Sequence, residues 1–129
     1  MSNQIKSKER VAQHGEVFTN EREVNAMLDL VKQETERIDS RFLEPACGDG
    51  NFLIEILRRK LAVCRRRVES KQYTQLQYER NAVWAVSSIY GIELLPDNAE
   101  ACRKRLLDYF CQQYAELFGD QCKQLCVLP

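Results

Sequence analysis

The segment Glu44–Asn51, with the sequence EPACGDGN, has the composition of a ligand-binding turn. It follows a short apolar run and precedes a helical pattern, so it lies between a predicted strand and a predicted helix. Gly48 and Gly50 remove side chains where the backbone must turn tightly and where a ligand could approach it closely, next to a helix N-terminus. Glycine spacing alone is weak evidence, because an ordinary strand-to-helix turn explains it equally well.

Glu93 lies near the end of a second apolar run, IYGIEL, which spans residues 89–94. An acidic side chain at the tip of the second strand is how nucleotide-binding sheets hold ribose hydroxyls, because one carboxylate accepts two hydrogen bonds. Glu93 is farther from Gly50 than the spacing of about 20 residues in the simple dinucleotide fold. A helix predicted between them explains the excess. Taken alone, Glu93 is better explained as a solvated glutamate at a strand end.

Three stretches of the chain resemble motifs of the N6-adenine DNA methyltransferases of restriction–modification systems, including modification subunits of type I and type IIG-like enzymes. FLEPACGDGNFL (42–53) is similar to their cofactor motif, and IYGIELLPDNAEACRKRL (89–106) to their second cofactor motif and following helix. GEVFTNEREVNAMLDLV (15–31) resembles the motif that precedes both, although a proline more commonly stands where this chain has Asn20. The resemblance covers residues 14–118 and rests on the order of three motifs.

The resemblance implies that the chain binds S-adenosylmethionine. Thr19 would contact the methionine end of the cofactor, Glu93 the ribose hydroxyls, and Leu94 the adenine. Acidic residues suit a cofactor that is a sulfonium cation with an amino group. The cofactor-binding residues that the resemblance implies are Thr19, Glu44, Ala46, Cys47, Gly48, Gly50, Glu93 and Leu94.

The family's catalytic motif, Asn/Asp-Pro-Pro-Tyr/Phe, does not occur in this chain. That motif receives the adenine after it leaves the duplex. The chain's only prolines are Pro45, Pro96 and Pro129, none adjacent to another. The resemblance therefore implies the cofactor-binding part of a site-specific adenine methyltransferase, with no catalytic residue of its own and no activity alone. DNA would be the partner of the complete enzyme, together with a specificity or restriction subunit.

Two alternatives stay open from the sequence. The chain could be a non-catalytic remnant domain that docks to a specificity or catalytic partner through an exposed sheet edge. It could also belong to a methyltransferase of RNA, protein glutamine or a small molecule, because substrate choice depends on residues that this chain does not contain.

Helical spacing predicts the elements that would position these residues. Asn20 with Glu23 resembles a capping box that starts a first helix. The helices predicted after it follow the glycine turn, cover 75–88, and run from Pro96 to Gly119. The apolar stripes that define the four helices are Val24, Met27, Leu28 and Val31; Ile54, Leu57, Leu61, Cys64 and Val68; Tyr78, Ala82, Ala85 and Ile89; and Cys102, Leu106, Phe110, Tyr114 and Leu117.

Strands that alternate with helices predict an α/β fold with a parallel sheet. Two parallel strands are few for an independent sheet. With the resemblance, the expectation is a partial Rossmann-like S-adenosylmethionine-dependent methyltransferase fold: two parallel strands with flanking helices, the remaining strands being absent. Residues 1–13 are expected to be a flexible N-terminus, 14–118 the cofactor-binding subdomain, and 119–129 a truncated C-terminal segment.

The composition is that of a globular domain, since 44% of the 129 residues are hydrophobic and 29% charged. Nineteen basic and nineteen acidic residues cancel, so net charge gives no reason to expect nucleic-acid binding. No secretory signal or membrane-spanning run is present, which predicts a cytoplasmic protein without membrane contact. The six cysteines are expected to be reduced, and a zinc site from Cys122 and Cys126 with distant partners is not favoured.

Two further groups favour structural interpretations over functional ones. A basic cluster could contact phosphate, but the solvated face of a helix explains it better. Tyr78, Trp84 and Tyr90 could stack on bases, but their surroundings favour core positions. The basic cluster consists of Arg58, Arg59, Lys60, Arg65, Arg66, Arg67 and Lys71.

Overall fold

The computed structural model describes residues 20–119. The elements, in chain order, are α1 (Glu21–Asp29), α2 (Lys32–Thr35), β1 (Phe42–Glu44), α3 (Asn51–Glu69), α4 (Gln75–Ser87), β2 (Ile89–Gly91) and α5 (Pro96–Phe118). Strands β1 and β2 pair in parallel, with Phe42 opposite Ile89 and Glu44 opposite Gly91. The described residues thus form an α/β unit of two parallel strands with flanking helices, as the sequence predicts.

Helix α1 begins where the sequence predicts but ends earlier. The Asn20 side chain accepts a hydrogen bond from the Glu23 backbone N–H at 2.9 Å, which confirms the predicted cap. Val24 and Leu28 are buried. Met27 and Val31 are about half exposed, so the prediction of a four-residue buried stripe was wrong for them. Val31 lies beyond α1, which stops at Asp29, and the short helix α2 follows within the stretch expected to be only charged. Met27 lies within α1 but on its exposed side.

Helix α3 is the centre of the unit, because it contacts α1, α2, α4, α5 and β2. Its predicted stripe is correct: Ile54, Leu57, Leu61 and Cys64 are buried, and Val68 packs against the core at partial exposure. An isolated two-stranded sheet is marginal in water, so packing against α3 is what stabilises the strand pair. The helix therefore fixes where the strand ends lie.

Helices α4 and α5 form the second half of the core. A reciprocal capping box of Thr74 and Gln77 starts α4. The ring of Tyr78 lies 5.3 Å from that of Phe118, and Tyr114 lies 5.2 Å from the same ring. Helix α5 ends at Phe118 and is followed by Gly119 at a φ of 83°, as predicted.

Two aromatic side chains expected in the core are exposed. Trp84 is 55% exposed, because it lies on the face of α4 opposite buried Ala82 and Ala85. Tyr90 alternates with buried Ile89 along β2 and so points to the other face of the sheet. Only Tyr78 of the three aromatic residues is buried, so the core prediction was wrong for Trp84 and Tyr90.

The basic cluster of α3 is partly internal. Lys60 is fully buried and donates to the carbonyl oxygens of Ile38 (3.1 Å) and Ser40 and to the Ser88 hydroxyl. Arg59 is largely buried and bonds Asp29 Oδ1 at 2.9 Å. The interpretation as a solvated helix face was therefore wrong for Lys60 and Arg59. The interpretation as a solvated face fits the exposed members of the cluster, which are Arg58, Arg66 and Lys71.

One face of the strand pair carries apolar side chains that stay exposed. Phe42 and Ile89 pack towards the core, and the residues that follow them, Leu43 and Tyr90, point to the opposite side. Leu43, Tyr90 and Ile92 are at least half exposed within residues 20–119. In that same range, no helix has both the length and the apolar character that crossing a membrane requires.

Candidate functional site

The carboxyl ends of β1 and β2 bring the glycine turn and Glu93 side by side. The ladder continues past both strands, because Ile92 N donates to Glu44 O and Cys47 N donates to Ile92 O, each at 3.0 Å. The turn itself closes with a bond of 2.9 Å from Gly50 N to Cys47 O. Parallel pairing thus joins two sequence motifs that are far apart along the chain.

Glu93 binds the turn directly. Its Oε1 accepts the Gly48 backbone N–H at 3.2 Å, and Gly48 has a φ of 57°. Its Oε2 accepts the Leu95 backbone N–H at 3.2 Å and the Asn98 side-chain N–H at 3.3 Å. The carboxylate therefore links the glycine turn to the start of α5, and both ends of this link are partly buried.

Gly50 and Gly91 are sites of close internal packing. Gly50 has a φ of 98°, and a Cβ added there would lie 2.7 Å from the Cys102 sulfur. A Cβ on Gly91 would lie 2.7 Å from Leu53 Cδ1 and 2.8 Å from the Cys47 sulfur. The close approach expected of a ligand at Gly50 is thus made by α5, which needs a residue without a side chain at that point.

Arg105 of α5 holds the other side of the turn. It donates to Asn51 Oδ1 at 2.9 Å and to the Asp49 carbonyl oxygen at 3.3 Å. It also forms an ion pair of 3.4 Å with Asp49 Oδ1, a buried oxygen that accepts no hydrogen bond from the described residues. The positive charge of Arg105 is therefore balanced by Asp49 at the edge of the site.

A cleft of about 350 Å³ lies beside this turn, between β2 and α5. Cys47, Glu93 and Cys102 are among its lining residues. Burial raises the pKa of both thiols, that of Cys102 to about 12. At neutral pH both are protonated, so neither is an activated nucleophile in the reduced protein.

The structure brings some of the predicted cofactor residues together and separates others. Gly48, Cys47 and Glu93 meet at the strand ends. Glu44 is half-buried, and its Oε1 accepts the N–H of exposed Ala46 at 3.0 Å. Leu94 is 88% exposed and does not line the cleft. Thr19 lies outside the described residues.

Three residues of this site were missed from the sequence: Asn98, Cys102 and Arg105. Asn98 is buried on the first turn of α5, and a polar residue so close to a candidate binding carboxylate was a usable signal. Cys102 was noticed only as part of an apolar stripe. Arg105 carried no signal, because an arginine in a long helix is usually solvated.

The chemistry available at this site is binding through backbone N–H groups and carboxylates. Within residues 20–119, no group of three or more His, Cys, Asp or Glu residues could hold a metal ion. The cleft volume lies at the lower end of the range for small-molecule sites, which is about 300–1,000 Å³. No protein-family model, curated protein or solved structure shows significant similarity to this chain.

Proposed function

We propose that the end of the β1–β2 pair binds S-adenosylmethionine, and that the chain is the cofactor-binding part of a DNA adenine-N6 methyltransferase. The observation that carries this proposal is the contact of 3.2 Å between the Gly48 N–H and the Glu93 carboxylate. It joins the two motifs that the resemblance assigns to one cofactor. Ligands in open α/β sheets bind at the carboxyl ends of the strands, which is where this contact lies.

The residues present fit such a ligand in their donors and acceptors. Glu93 Oε1 accepts one described N–H, and a carboxylate oxygen has two lone pairs, so it can also accept a ribose hydroxyl. Glu44 and Glu93 supply negative charge for a sulfonium and an ammonium group. Arg105 lies on the other side of the turn, and its charge is paired with Asp49. Arg103 lines the cleft, and its positive charge works against these carboxylates in binding a cationic ligand.

The described residues account for binding and orientation only. S-adenosylmethionine supplies an activated methyl group when bound, and Glu93 would hold its ribose against the glycine turn. The residues that receive a flipped adenine in this family do not occur in the chain. Methyl transfer to DNA, and the association with a specificity or restriction subunit, are therefore proposed for the complete enzyme and not for this chain alone.

Isothermal titration calorimetry with S-adenosylmethionine tests this proposal. Glu93→Gln keeps the shape of the side chain but removes its charge, and we expect a roughly tenfold weaker binding, because a hydrogen bond to a charged group contributes about 1.5–3 kcal/mol. Glu100→Gln changes an exposed glutamate on α5 and is the matched control. A folded parent chain that binds no cofactor, or equal binding by Glu93→Gln and the parent, would contradict the proposal.

The exposed sheet face favours a second candidate, an interaction domain without catalysis. Leu43 and Tyr90 lie opposite each other on β1 and β2, and both are at least half exposed. Exposed apolar patches often mark interaction sites. Sedimentation velocity of the parent and of Leu43→Thr/Tyr90→Thr tests this candidate. It predicts concentration-dependent association or partner binding that the double variant loses, and a parent that stays monomeric and binds no methyltransferase component counts against it.

A further inference from the structure

Cys47 and Cys102 form a thiol pair that joins two separate elements of the fold. Cys47 lies in the glycine turn after β1, and Cys102 lies on the second turn of α5. The two thiols lie near enough for each to influence the ionisation of the other, and the Cys47 thiol donates to the Gly48 carbonyl oxygen at 3.7 Å. Both cysteines line the same cleft, and neither is in a disulfide. The contact was not expected from the sequence.

The packing around the pair holds the two sulfurs in place. The Cys102 sulfur fills the space that a side chain at Gly50 would occupy, and the Cys47 sulfur fills the corresponding space at Gly91. Each sulfur is thus fixed against a backbone position that has no side chain. Cross-linking requires two cysteines whose side chains already face each other, because a disulfide tolerates little change in backbone geometry.

We propose that Cys47 and Cys102 are a site of reversible covalent modification, at which a small-molecule disulfide oxidises the pair to an intrachain disulfide. The cross-link connects the glycine turn covalently to α5 and so restricts the movement of these two parts of the cleft wall relative to each other.

The reaction balances as a two-electron thiol–disulfide exchange. The Cys47 thiol loses its proton to water, and its thiolate attacks one sulfur of the oxidant. The oxidant's own sulfur–sulfur bond breaks, and one thiol is released after it takes up a proton. The Cys102 thiol then loses its proton, attacks the Cys47 sulfur of the mixed disulfide and releases the second thiol. The protein pair is oxidised, and the oxidant is reduced to two thiols.

The two cysteines have different roles in this sequence. Both cysteines line the cleft, but Cys47 is partly exposed, whereas Cys102 is buried. Burial raises the pKa of both thiols above its ordinary value, and the neighbouring Cys102 thiol opposes this effect at Cys47. Cys47 is therefore the attacking thiol and Cys102 the resolving one, and the low thiolate fraction at neutral pH makes the first step slow.

Incubation of the native full chain with oxidised glutathione tests the proposal. After remaining thiols are alkylated, peptide mass spectrometry should find a Cys47–Cys102 linkage that reduction reverses. The linkage should form in the folded chain in preference to the urea-unfolded chain, and oxidation should raise the midpoint of thermal unfolding. Cys111→Ser is the matched control and should keep the linkage and the shift, whereas Cys47→Ser and Cys102→Ser should lose both.

Other outcomes of the same experiment would overturn the proposal. Stable glutathione on Cys47 without the cross-link would show that Cys102 cannot reach it in the folded chain. Linkages formed only with other cysteines, or equal formation in the unfolded chain, would show that the fold does not pair these two thiols. Should Cys102→Ser fail to fold, Cys47→Ser provides the same comparison at the more accessible position.

Discussion

The carboxylate of Glu93 holds the backbone N–H of Gly48 at a distance of 3.2 Å, across the ends of two parallel strands. The same carboxylate accepts hydrogen bonds from Leu95 N and the Asn98 side chain at the start of α5. Glu93 is therefore part of the fold before any ligand is considered. Its effect on stability and its effect on binding must be measured separately.

Glu93→Ala is expected to destabilise the chain by about 1–3 kcal/mol, because it leaves three partly buried N–H donors without their acceptor. Glu93→Gln keeps an acceptor oxygen, so its free energy of unfolding should fall less than that of Glu93→Ala. Urea unfolding followed by circular dichroism measures both changes against Glu100→Ala. Equal stability of Glu93→Ala and Glu100→Ala would mean that the link between the turn and α5 is not formed.

Gly50→Ala is expected to cost more stability than Gly119→Ala. Both glycines have positive φ angles, 98° and 83°, so both variants carry backbone strain of about 1–3 kcal/mol. Only at Gly50 would the new Cβ also overlap the Cys102 sulfur, whereas nothing lies within 4 Å at Gly119. The difference between the two free energies of unfolding measures this contact with α5.

Cys102→Ala provides an independent check on that contact. In the background of Cys102→Ala the sulfur is gone, and the nearest remaining atom of residue 102 is its Cβ at 3.4 Å. The additional cost of Gly50→Ala should therefore shrink towards that of Gly119→Ala. A double-mutant cycle with no coupling would contradict the packing described here.

The sequence predicts the order of elements because each helix carries its own apolar stripe and end signal. Asn20 and Gly119 mark helix ends through local hydrogen bonding and backbone conformation, which neighbouring residues determine. The resemblance placed Glu93 and the glycine turn in one site, and the parallel pairing of β1 and β2 explains why they meet. These features depend on short-range chemistry and on one topological rule.

Contacts made by the sides of α3, α4 and α5 could not be predicted in the same way. Lys60 was expected on a solvated helix face, and Arg105 carried no signal in the sequence, yet each bonds groups that come from other parts of the chain. Trp84 was expected in the core, but the side of α4 that carries Ala82 and Ala85 is buried and Trp84 is exposed. Such positions depend on which face of each helix meets its neighbour, and a single sequence contains no direct signal for that.

Trp84 gives a simple optical test of the arrangement of α4. It is the only tryptophan, and it is 55% exposed in the folded chain. We expect native fluorescence emission close to that of the unfolded chain, and efficient quenching by acrylamide. A strongly blue-shifted native spectrum in a monomeric sample would mean that Trp84 is buried and that α4 is rotated from the orientation described here.

Lys60 should make stability depend on pH in the alkaline range. Burial lowers its pKa from the ordinary 10.5 to about 8, although the negative charges of Asp39 and Glu34 act to raise it. Between these values the unfolded chain holds the proton more tightly than the folded chain, so stability must rise as pH increases from about 8 to 10.5. Below pH 8 the free-energy cost of burying the charged Lys60 side chain is constant. Above pH 10.5 this cost vanishes, because the side chain is neutral in both the folded and the unfolded chain.

Lys60→Met keeps the length of the side chain and removes the titration, so it isolates this effect. Relative to the variant, the parent chain should gain roughly 2–3 kcal/mol of unfolding free energy from pH 8 to pH 10.5, since one pKa unit corresponds to about 1.4 kcal/mol. Thiols and tyrosines that titrate in the same range affect both proteins and cancel in the difference. Urea unfolding at several pH values measures it, and a parent-to-variant difference that stays constant across the window would show that Lys60 is solvated in the native chain.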